Sequence, residues 1–587
     1  MKIIFFSPYS EIWNSSMPES LVAKELVISG HEVHTIRCNG LLSTYCPAMT
    51  SHGLNFESSE RVKHRVCISC IHAQKTLDYH SGVSTSLIID HISDEDRLRV
   101  RSILKSVNYN NWQKVEIENI PIGKFATYEI LLNHKINEAN GLKAVWEEYV
   151  NNLQQCLMIH FAISNFLKVN QVERLVVYNS LYSLNRTAVR TAEKFGVSWR
   201  TIHGGKNLVD MHQTLTISND DSQDILVAKS RLWNAWSSVP LTQDEIRSVG
   251  QNIDEQFGAR SAFTYSIAKS ISNPQNLRNN LGISSEKKVI LCTLASEDER
   301  FAADMVGALE FKMTENYNFF KGNQDWVLWL IDFVSKFEGF HLIIRLHPRG
   351  FPNKREGVSA ASSAQIEEVL SVVPARVTIN RPSDNLSLYD LAEIVDVVVN
   401  STSTAGLELL TLGIPVVSHC PKNLFSYPAE FNYVGLTKEK YAEAILEATK
   451  NGWSIENSIR GFRYRSFLYN QVSYSLHDQI PDRKKYLIHR ILTWLRFRKS
   501  ISVPSLIINF FREKEFRYQN KSLKFGSQII EAVVGPNERD KAVISNQMRS
   551  PADERRNIQR ELSRIARQYF SGDDDSFLRK KIENNSL

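Results

Sequence analysis

The chain has 587 residues, of which 42% are hydrophobic and 23% are charged, an ordinary balance for a soluble globular protein. That length accommodates roughly three to four domains of average size, or two large domains with an appendage. The formal net charge of +6 is small for such a chain and argues against a dedicated nucleic-acid binder, so we expect no nucleic-acid partner.

The first residues predict an α/β domain. Residues 1–6 are an apolar run, too short for a signal peptide, and they predict a first buried parallel strand. We expect a helix over 18–29, ended by Gly30, and then a second strand at 31–36. No run of about eighteen uninterrupted apolar residues occurs, so we expect no membrane-spanning helix. Seven cysteines without a secretion signal indicate a cytoplasmic protein.

Four of the seven cysteines lie within 33 residues, namely Cys38, Cys46, Cys67 and Cys70. The pair Cys67 and Cys70 has the spacing that binds one metal ion readily, and a second pair completes a tetrahedral thiolate set. We therefore predict a structural zinc site. A catalytic zinc is not expected, because four thiolates leave no open coordination position. Free buried thiols and a disulfide are the alternatives.

The rest of the first half continues the alternation of helices and strands. We expect a helix at 140–168, a strand at 172–178, a helix at 183–195 and a strand at 197–202. The last strand runs into His203, Gly204 and Gly205. The histidine should face the cleft between domains, and the two glycines would let a substrate approach the backbone closely.

A second α/β half begins after a polar, helical stretch at 241–280, where we place the linker. The strand at 288–292 opens this half, and an amphipathic helix is expected at 323–338. Two successive halves of this kind predict two Rossmann-like domains that face a cleft, with the active site between them. We expect an N-terminal domain at 1–265, a C-terminal domain at 266–475 and a helical extension at 476–587.

The strongest chemical signal lies at 343–417. A strand at 343–346 ends in His347 and Pro348, and a second strand at 395–399 ends in a turn that holds Ser401, Ser403 and Thr404. Small hydroxylated residues at a strand-to-helix turn make a phosphate cradle, because free N–H groups and the positive end of the helix point at the anion. The sequence therefore predicts a nucleotide site at the carboxyl edge of a parallel sheet.

Two arginines flank the histidine of this motif. Arg345 and Arg349 would both neutralise phosphate, but if Arg345 faces the other side of the sheet, only Arg349 would serve. The alternative for the whole motif is that the His-Pro pair merely ends a strand and the hydroxylated run is a helix cap.

The His-Pro pair and the Ser-x-Ser turn resemble the donor site of GT-B glycosyltransferases that build bacterial surface polysaccharides. They look like those of sialyltransferases and Kdo transferases, which use CMP-sugars, and of the CDP-glycerol polymerases of teichoic acid synthesis. The resemblance implies that His347, Ser401 and Ser403 hold the nucleotide phosphate, with Thr404 beside them. It also implies that Glu408 binds the ribose hydroxyls; a first-turn carboxylate stabilised by the helix dipole is the alternative.

The resemblance assigns the chemistry of the N-terminal domain as well. A similar His-Gly turn in the CDP-glycerol polymerases contacts the acceptor or the leaving phosphate, which makes His203 the first candidate for the catalytic base. In several CMP-sugar transferases an Asp or Glu of this domain is the base, and Asp210, Glu173 and Glu19 are available. The acidic loop at 297–299 would face the cleft, or be simply solvated.

No catalytic divalent metal is expected. Asp573, Asp574 and Asp575 have the letters of a metal-binding Asp-x-Asp, but they lie in a polar tail with no strand before them. Asp220 and Asp221 lie in a loop, and both sets are predicted to be solvated. Phosphate charge would then be met by the helix dipole, the histidine and basic side chains.

The extension interleaves basic and apolar residues at 483–515, a pattern that suits a helix lying on anionic lipid. A terminal helix that packs back across the two domains is the alternative, and 535–587 is predicted to be a polar tail.

We expect a GT-B glycosyltransferase of surface-polysaccharide assembly, cytoplasmic or peripheral on the inner membrane face. The predicted donor is a nucleotide-sugar, with CMP-sugars favoured, and the predicted acceptor is a glycan or a lipid-linked glycan. The alternatives are a polyol-phosphate transferase with a CDP-polyol donor, a non-enzymatic GT-B scaffold and a UDP-sugar epimerase.

Overall fold

The protein was analysed as a computed structural model. The described residues are 1–211, 213–219, 231–260, 265–270, 273–309, 319–353, 357–420, 427–478, 488, 491–492, 494–496, 503, 505–517, 523–524, 526–535, 549–570 and 576–584. Asp220, Asp221 and the aspartates at 573–575 lie outside these ranges, so their predicted solvation stays a prediction.

Two sheets organise the chain, and their strands are β1 Lys2–Phe6, β2 Glu32–Arg37, β3 Ser84–Leu87, β4 Arg174–Tyr178, β5 Ser198–Gly204, β6 Thr214–Ser218, β7 Lys288–Thr293, β8 Phe340–Arg345, β9 Val377–Asn380, β10 Val397–Asn400, β11 Val416–Ser418, β12 Tyr433–Val434 and β13 Ser473–Ser475. The first sheet has the order β13-β6-β5-β4-β1-β2-β3, and the second has the order β12-β11-β10-β7-β8-β9. The second sheet is parallel throughout, whereas β6 and β13 run antiparallel to their neighbours in the first.

Helices cover the two sheets, and they are α1 Trp13–Ile28, α2 Pro47–Ser51, α3 Glu60–Ser81, α4 Asp94–Ser106, α5 Ile122–Phe125, α6 Tyr128–Asn133, α7 Trp146–Val169, α8 Ser183–Lys194, α9 Arg231–Trp236, α10 Gln243–Phe257, α11 Pro274–Asn280, α12 Glu297–Met305, α13 Asn323–Lys336, α14 Ala361–Val369, α15 Leu388–Leu391, α16 Ala405–Thr411, α17 Lys438–Asn451, α18 Ile455–Phe467, α19 Ser505–Arg517, α20 Gly526–Val534, α21 Pro551–Tyr569 and α22 Phe577–Asn584. Within the described ranges, none of them combines the length and the apolarity that crossing a bilayer requires.

The central strands are buried on both faces because their sequences are continuously apolar. In β1 the run Ile3, Ile4, Phe5 and Phe6 is at most 1% exposed, and β10 is buried along its whole length. Strands of a parallel sheet that is covered on both faces have this composition. The predicted α/β class with two successive sheets is therefore confirmed: the second sheet is parallel throughout, the first is parallel from β5 to β3, and a helical extension follows.

Two local expectations differ from the structure. The first helix begins at Trp13 rather than at residue 18, so Pro18 lies inside it instead of at its start. The helices α9 and α10, which we assigned to the N-terminal domain, contribute Trp236 and Ile253 to the apolar core of the second sheet. The chain then returns to the first sheet through β13, which pairs with β6. The domain bounds stay a prediction.

Helices α19 and α20 of the extension pack on the first domain, whereas α21 and α22 pack into the apolar core of the second sheet through Ile558, Leu562 and Leu578. The described part of the predicted polar tail at 535–587 is therefore packed helix.

Arg512 of α19 forms a buried ion pair of 2.9 Å with Glu11, and α20 lies against α1. Arg200 donates hydrogen bonds to the carbonyls of Ala532 and Gly535 at the end of α20. These contacts correspond to the packing alternative for this segment; they leave its outward face open to a second role.

Candidate active site

A cavity of about 320 Å³ opens at the carboxyl edge of the second sheet. Its walls include the ends of β7 and β8 and the turn after β10. The chain order of the sheet reverses between β7 and β10, since β8 and β9 lie on one side and β11 and β12 on the other. A reversal of this kind leaves a crevice in which open α/β sheets bind ligands. Lys206 and Leu208, from the loop after β5, close the cavity from the first domain.

The structure brings four of the predicted residues to this cavity: His347, Ser403, Thr404 and Glu408 all line it. They come from the ends of two strands and from the first turn of α16, more than fifty positions apart in the sequence. Their roles in ligand binding stay predictions.

His347 is held as a neutral hydrogen-bond donor. Its Nδ1 accepts a hydrogen bond of 3.3 Å from the backbone N–H of Arg349, so the ring proton of the neutral form lies on Nε2. Burial lowers the pKa of His347 to about 4, and the nearby guanidiniums of Arg349 and Arg345 act in the same direction. At neutral pH the ring therefore offers an N–H group rather than a positive charge.

The turn after β10 is fixed by Asn400, which sequence reasoning did not single out. Its Nδ2 donates to the carbonyl of Ser403 at 2.9 Å, and its Oδ1 accepts from the hydroxyl of Thr293 at 2.8 Å. A Cβ atom on Gly406 would lie 2.5 Å from that amide and 2.1 Å from the hydroxyl of Tyr427. The glycine is thus required by close packing inside the turn.

Ser401 does not line the cavity, although the resemblance assigns it to the phosphate. Its side chain is fully buried, and its Oγ lies 3.9 Å from the Sγ of Cys420 after β11. Strand alternation would give residues 401 and 403 the same direction. The chain leaves the strand at Asn400, however, so Ser401 packs against Cys420 while Ser403 in the turn lines the cavity.

Glu408 is oriented by two hydroxyl groups. Tyr389 donates to its Oε2 at 2.7 Å and Thr404 donates to its Oε1 at 3.3 Å. Each carboxylate oxygen can accept a further hydrogen bond, and Glu408 lines the cavity, so the group is suited to accept a hydroxyl group of a ligand.

The two arginines beside His347 differ from the expectation that Arg349 rather than Arg345 would face the phosphate. Arg345 lines the cavity, where it donates to the side chain of Asn380 and to the carbonyl of Leu386. Arg349 does not line it. Its guanidinium forms a buried ion pair of 2.8 Å with Asp298 and donates to the carbonyl of Leu132 in the first domain. The acidic residues 297–299, which we expected in a loop, form the first turn of α12, and Asp298 is paired with Arg349 rather than solvated.

Arg465 of α18 is a cavity residue that sequence reasoning missed. It is 4% exposed and donates to Thr411, Asn252 and Gln256, all through neutral oxygens. Within the part of the chain that the structure describes, neither Arg345 nor Arg465 forms an ion pair with a carboxylate. The available signal was its position three residues after the buried Phe462 in an amphipathic helix, because residues three apart share one side of a helix.

The cavity lining is positively charged. Its described charged side chains are Lys206, Arg345, Arg465 and Glu408, and three cations against one carboxylate give +2 with His347 neutral. The helix that the turn opens, α16, has only seven residues, so these side chains rather than a long helix supply most of the positive potential. The lining is suited to an anion with more than one negative charge.

His203 lies at the end of β5, three residues before Lys206, but does not itself line the cavity. Its ring stacks on Tyr178 with the ring centroids 5.6 Å apart. Gly205 does not serve substrate approach as we expected, because a Cβ atom there would meet the hydroxyl of Thr214 at 1.8 Å. The structure thus places His203 at the carboxyl edge of the first sheet, three residues before the cavity residue Lys206.

The three competing carboxylates lie in different places. Glu173 is at the amino edge, beside the N-terminus and the backbone of Lys2, which is the wrong end of the sheet for this site. Asp210 accepts from His477 at 3.0 Å in the loop after β5. Glu19 is buried beside Ser7, and burial raises its pKa to about 7.

The predicted zinc ligands do not fit a metal ion as they are arranged. Cys38 follows β2, Cys46 precedes α2, and Cys67 and Cys70 lie on α3. Among the described residues, which include all seven cysteines, no three or more His, Cys, Asp or Glu side chains form a metal-binding group. Burial raises the pKa of the Cys46 thiol to about 12, which favours the protonated form. The zinc site stays a prediction, and no step of the chemistry below depends on it.

Comparisons with known proteins give only distant similarity. No protein-family model and no curated protein sequence matches the chain. Among solved structures, it is similar to UDP-GlcNAc 2-epimerase from Neisseria meningitidis bound to UDP-GlcNAc, at 10% identity over 80% of this chain and 99% of that one, with a TM-score of 0.26.

Two further solved structures are similar at the same level. KpsC of Thermosulfurimonas dismutans, a β Kdo 2,4 transferase, is 13% identical over 50% of this chain and 87% of that one, with a TM-score of 0.27. The calicheamicin glycosyltransferase CalG4 is 11% identical over 80% and 94%, with a TM-score of 0.24. TM-scores this low carry no argument about the site, which depends on the geometry above.

Proposed function

We propose that the chain is a glycosyltransferase that moves a sugar from a nucleotide-sugar donor to a glycan or lipid-linked glycan acceptor. The donor binds in the second domain, and the acceptor binds at the facing edge of the first. One observation carries the proposal: two buried guanidiniums, Arg345 and Arg465, line one cavity and are held by neutral oxygens only. Buried charges are normally paired, so this arrangement favours an anionic ligand.

The proposed donor pose follows from the donors and acceptors in the lining. The nucleotide phosphate lies between Nε2–H of His347 and the turn that holds Ser403 and Thr404, within the field of Arg345. Glu408, oriented by Tyr389, accepts the ribose hydroxyls. A volume of about 320 Å³ is at the lower end of the usual range for small-molecule sites, so part of the donor would extend into the interdomain cleft.

Transfer requires that the leaving phosphate be stabilised as negative charge develops on it. Fixed cations in a partly dry site do this without reorganisation, which is the largest single contribution in many enzymes. In this proposal Arg345, Arg465 and Lys206 supply that stabilisation, and His347 adds a neutral donor. No catalytic divalent ion is required by the scheme.

The acceptor hydroxyl needs a base on the other side of the cleft. We propose His203, which ends β5 close to Lys206, the residue that the first domain contributes to the cavity. Imidazole accepts a proton near neutral pH, and stacking on Tyr178 holds the ring in one orientation. CMP-sugars remain the favoured donors because of the resemblance at the His-Pro pair and at the turn after β10, from which Ser403 but not Ser401 lines the cavity.

Product analysis with two labelled donors tests the function. One donor carries the label in the sugar and the other carries it in the phosphate; each is incubated with glycan acceptors, and the products are separated. Sugar label in the product without phosphate label supports the proposal. Phosphate label in the product would instead identify a polyol-phosphate transferase. Release of a free epimerised sugar would identify an epimerase.

A further inference from the structure

The extension presents apolar side chains to solvent. Five of the eighteen exposed large apolar residues in the described part of the chain lie between 488 and 510: Ile488 at 44%, Ile491 at 45%, Trp494 at 47%, Ile507 at 44% and Phe510 at 57%. Residues 488, 491–492, 494–496 and 505–517 are helical. The spacings 488, 491 and 494, and 507 and 510, each place the side chains along one side of a helix. We call these five residues the outer face.

The inner side of the same segment is anchored. Ile508 is fully buried, and Arg512 is 1% exposed, pairs with Glu11 and lies 4.9 Å from the ring of Trp13. Arg496 also lies near Glu11 and Arg512, and burial lowers its pKa. α19 is therefore fixed on α3 and α1 of the first domain, with Ile507, Phe510 and Lys514 turned outward. The outer face belongs to a platform that is attached to the domain.

Charge identifies the kind of partner. Residues 483–515 contain nine Lys or Arg and two Glu, a balance of +7, whereas the whole chain carries +6. The remaining 554 residues therefore sum to −1, and the positive charge of the protein is concentrated in this segment. The charge of Arg512 is neutralised by its ion pair with Glu11, and the other charged residues of the segment still sum to +6.

We propose that the outer face docks on a bilayer that contains anionic lipid. Helices with apolar side chains on one side and Lys or Arg at the border lie in the plane of the membrane interface, where the apolar groups enter the acyl boundary and the cations meet the phosphates. A protein partner of similar size would expose fewer cations at the centre of its interface, because charged residues are depleted there. The platform is on the first domain, so docking would hold the proposed acceptor side of the cleft toward the lipid.

Vesicle flotation tests the proposal with the full chain and without donor or acceptor, so it can fail independently of the proposed transferase. Vesicles of phosphatidylcholine alone are compared with vesicles of equal parts phosphatidylcholine and phosphatidylglycerol. The protein should float with the anionic vesicles only, and added salt should weaken the binding. The triple variant Ile491→Ser, Ile507→Ser, Phe510→Ser should partition about tenfold less or worse, since each change removes inserted apolar area.

A matched control separates this surface from apolar exposure in general. The triple variant Leu98→Ser, Val372→Ser, Leu436→Ser removes side chains that are at least as exposed but lie elsewhere, and it should bind as the parent does. The charge variant Lys484→Glu, Lys485→Glu should bind weakly and with little salt dependence. Thermal melting checks that each variant is folded. The proposal would be overturned if the parent protein did not float, or if the control triple variant lost as much vesicle binding as the outer-face variant. Self-association of the parent without vesicle binding would also overturn it.

Discussion

The hydroxyl of Tyr389 donates a hydrogen bond of 2.7 Å to Glu408 on the floor of the cleft cavity. Burial raises the pKa of Tyr389 well above its ordinary value, and the charge of Glu408 adds to the effect, so the phenol stays a donor. The carboxylate is thereby held in one orientation in the cavity that Arg345 and Arg465 also line. This pair connects α15 to α16, and it fixes the group that we propose for the ribose of the donor.

Removal of that hydroxyl should weaken nucleotide binding without unfolding the protein. In Tyr389→Phe the carboxylate of Glu408 loses its fixed orientation, and affinity should fall by about fivefold to tenfold, the worth of roughly one hydrogen bond. Calorimetric titration measures the change. Tyr433→Phe is the matched control, because its hydroxyl accepts from Asn451 outside the cavity. Unchanged affinity in Tyr389→Phe would remove Glu408 from the site.

The cavity and non-cavity arginines should respond in opposite ways. Arg465→Met removes a cation that faces the ligand, and nucleotide affinity should fall about tenfold to a hundredfold, as expected for hydrogen bonds to charged groups. Arg349→Met leaves Asp298 buried without its partner, so the unfolding free energy should fall by about 3–5 kcal/mol. Its affinity, measured on folded protein, should change little.

Chemical denaturation and nucleotide titration on the same two variants separate these effects. If Arg349→Met lost affinity while keeping its stability, the assignment of Arg349 to the Asp298 ion pair would be wrong. If Arg465→Met bound nucleotide as the parent does, the anionic ligand would lie elsewhere.

His203→Ala should abolish transfer and leave nucleotide affinity nearly intact. The residue lies at the carboxyl end of β5, three positions before the cavity residue Lys206, and is not a wall of the donor cavity, so its loss should affect the proposed acceptor side only. Turnover and donor affinity are measured on the same preparation. His31→Ala is the control, because His31 lies at the amino edge next to Met1. Normal turnover in His203→Ala would direct attention to the carboxylates Glu19 and Asp210.

The convergence of His347, Ser403, Thr404 and Glu408 was predictable from the sequence because the carboxyl ends of parallel strands share one edge. Apolar runs at 343–346 and 395–399 identified two such strands, and the residues that follow them had to meet. The double α/β organisation followed from the same periodicity. In each case the information is local: a continuously apolar run, a turn, and an amphipathic helix.

The errors arose where a side chain's direction decides its role. Ser401 and Ser403 look equivalent in the sequence, but only Ser403 reaches the cavity. Arg349 was chosen over Arg345 because the partner that holds it, Asp298, is 51 positions away and gives no local sign. Arg465 was missed because an arginine in a helix usually faces solvent. The supports of the turn, such as Asn400, become visible only when the strands are in register.

Stability should decrease as the pH falls from 6.5 toward 4. Burial lowers the pKa of His160, His341 and His347 to about 4 and that of His419 to about 3. Below pH 6.5 these histidines bind protons in the unfolded chain but not in the folded protein. The free energy of unfolding therefore falls by at most about 1.4 kcal/mol for each histidine and each pH unit. Glu19, with a pKa raised to about 7, has the opposite sign, as do Glu129 and His477, whose pKa values are also raised. Burial lowers the pKa of His31, His34 and His91 too, so the groups that destabilise the folded state at low pH are more numerous.

Urea denaturation at pH 7.5, 6 and 5 measures this dependence. The midpoint should fall across the series, and His341→Gln should make the fall shallower because one buried imidazole is removed. A midpoint that rises toward pH 5 would show that the histidines accept protons in the folded state.

Nucleotide titration of the parent protein and of Arg465→Met tests the central claim most directly. CMP, CDP, UDP and GDP are titrated by calorimetry and by thermal shift. We predict that at least one of them binds the parent and stabilises it by about 2.7 kcal/mol at one hundred times its dissociation constant, and that the variant binds it at least about tenfold more weakly. No binding of any of the four at millimolar concentration would contradict the account and favour a scaffold protein.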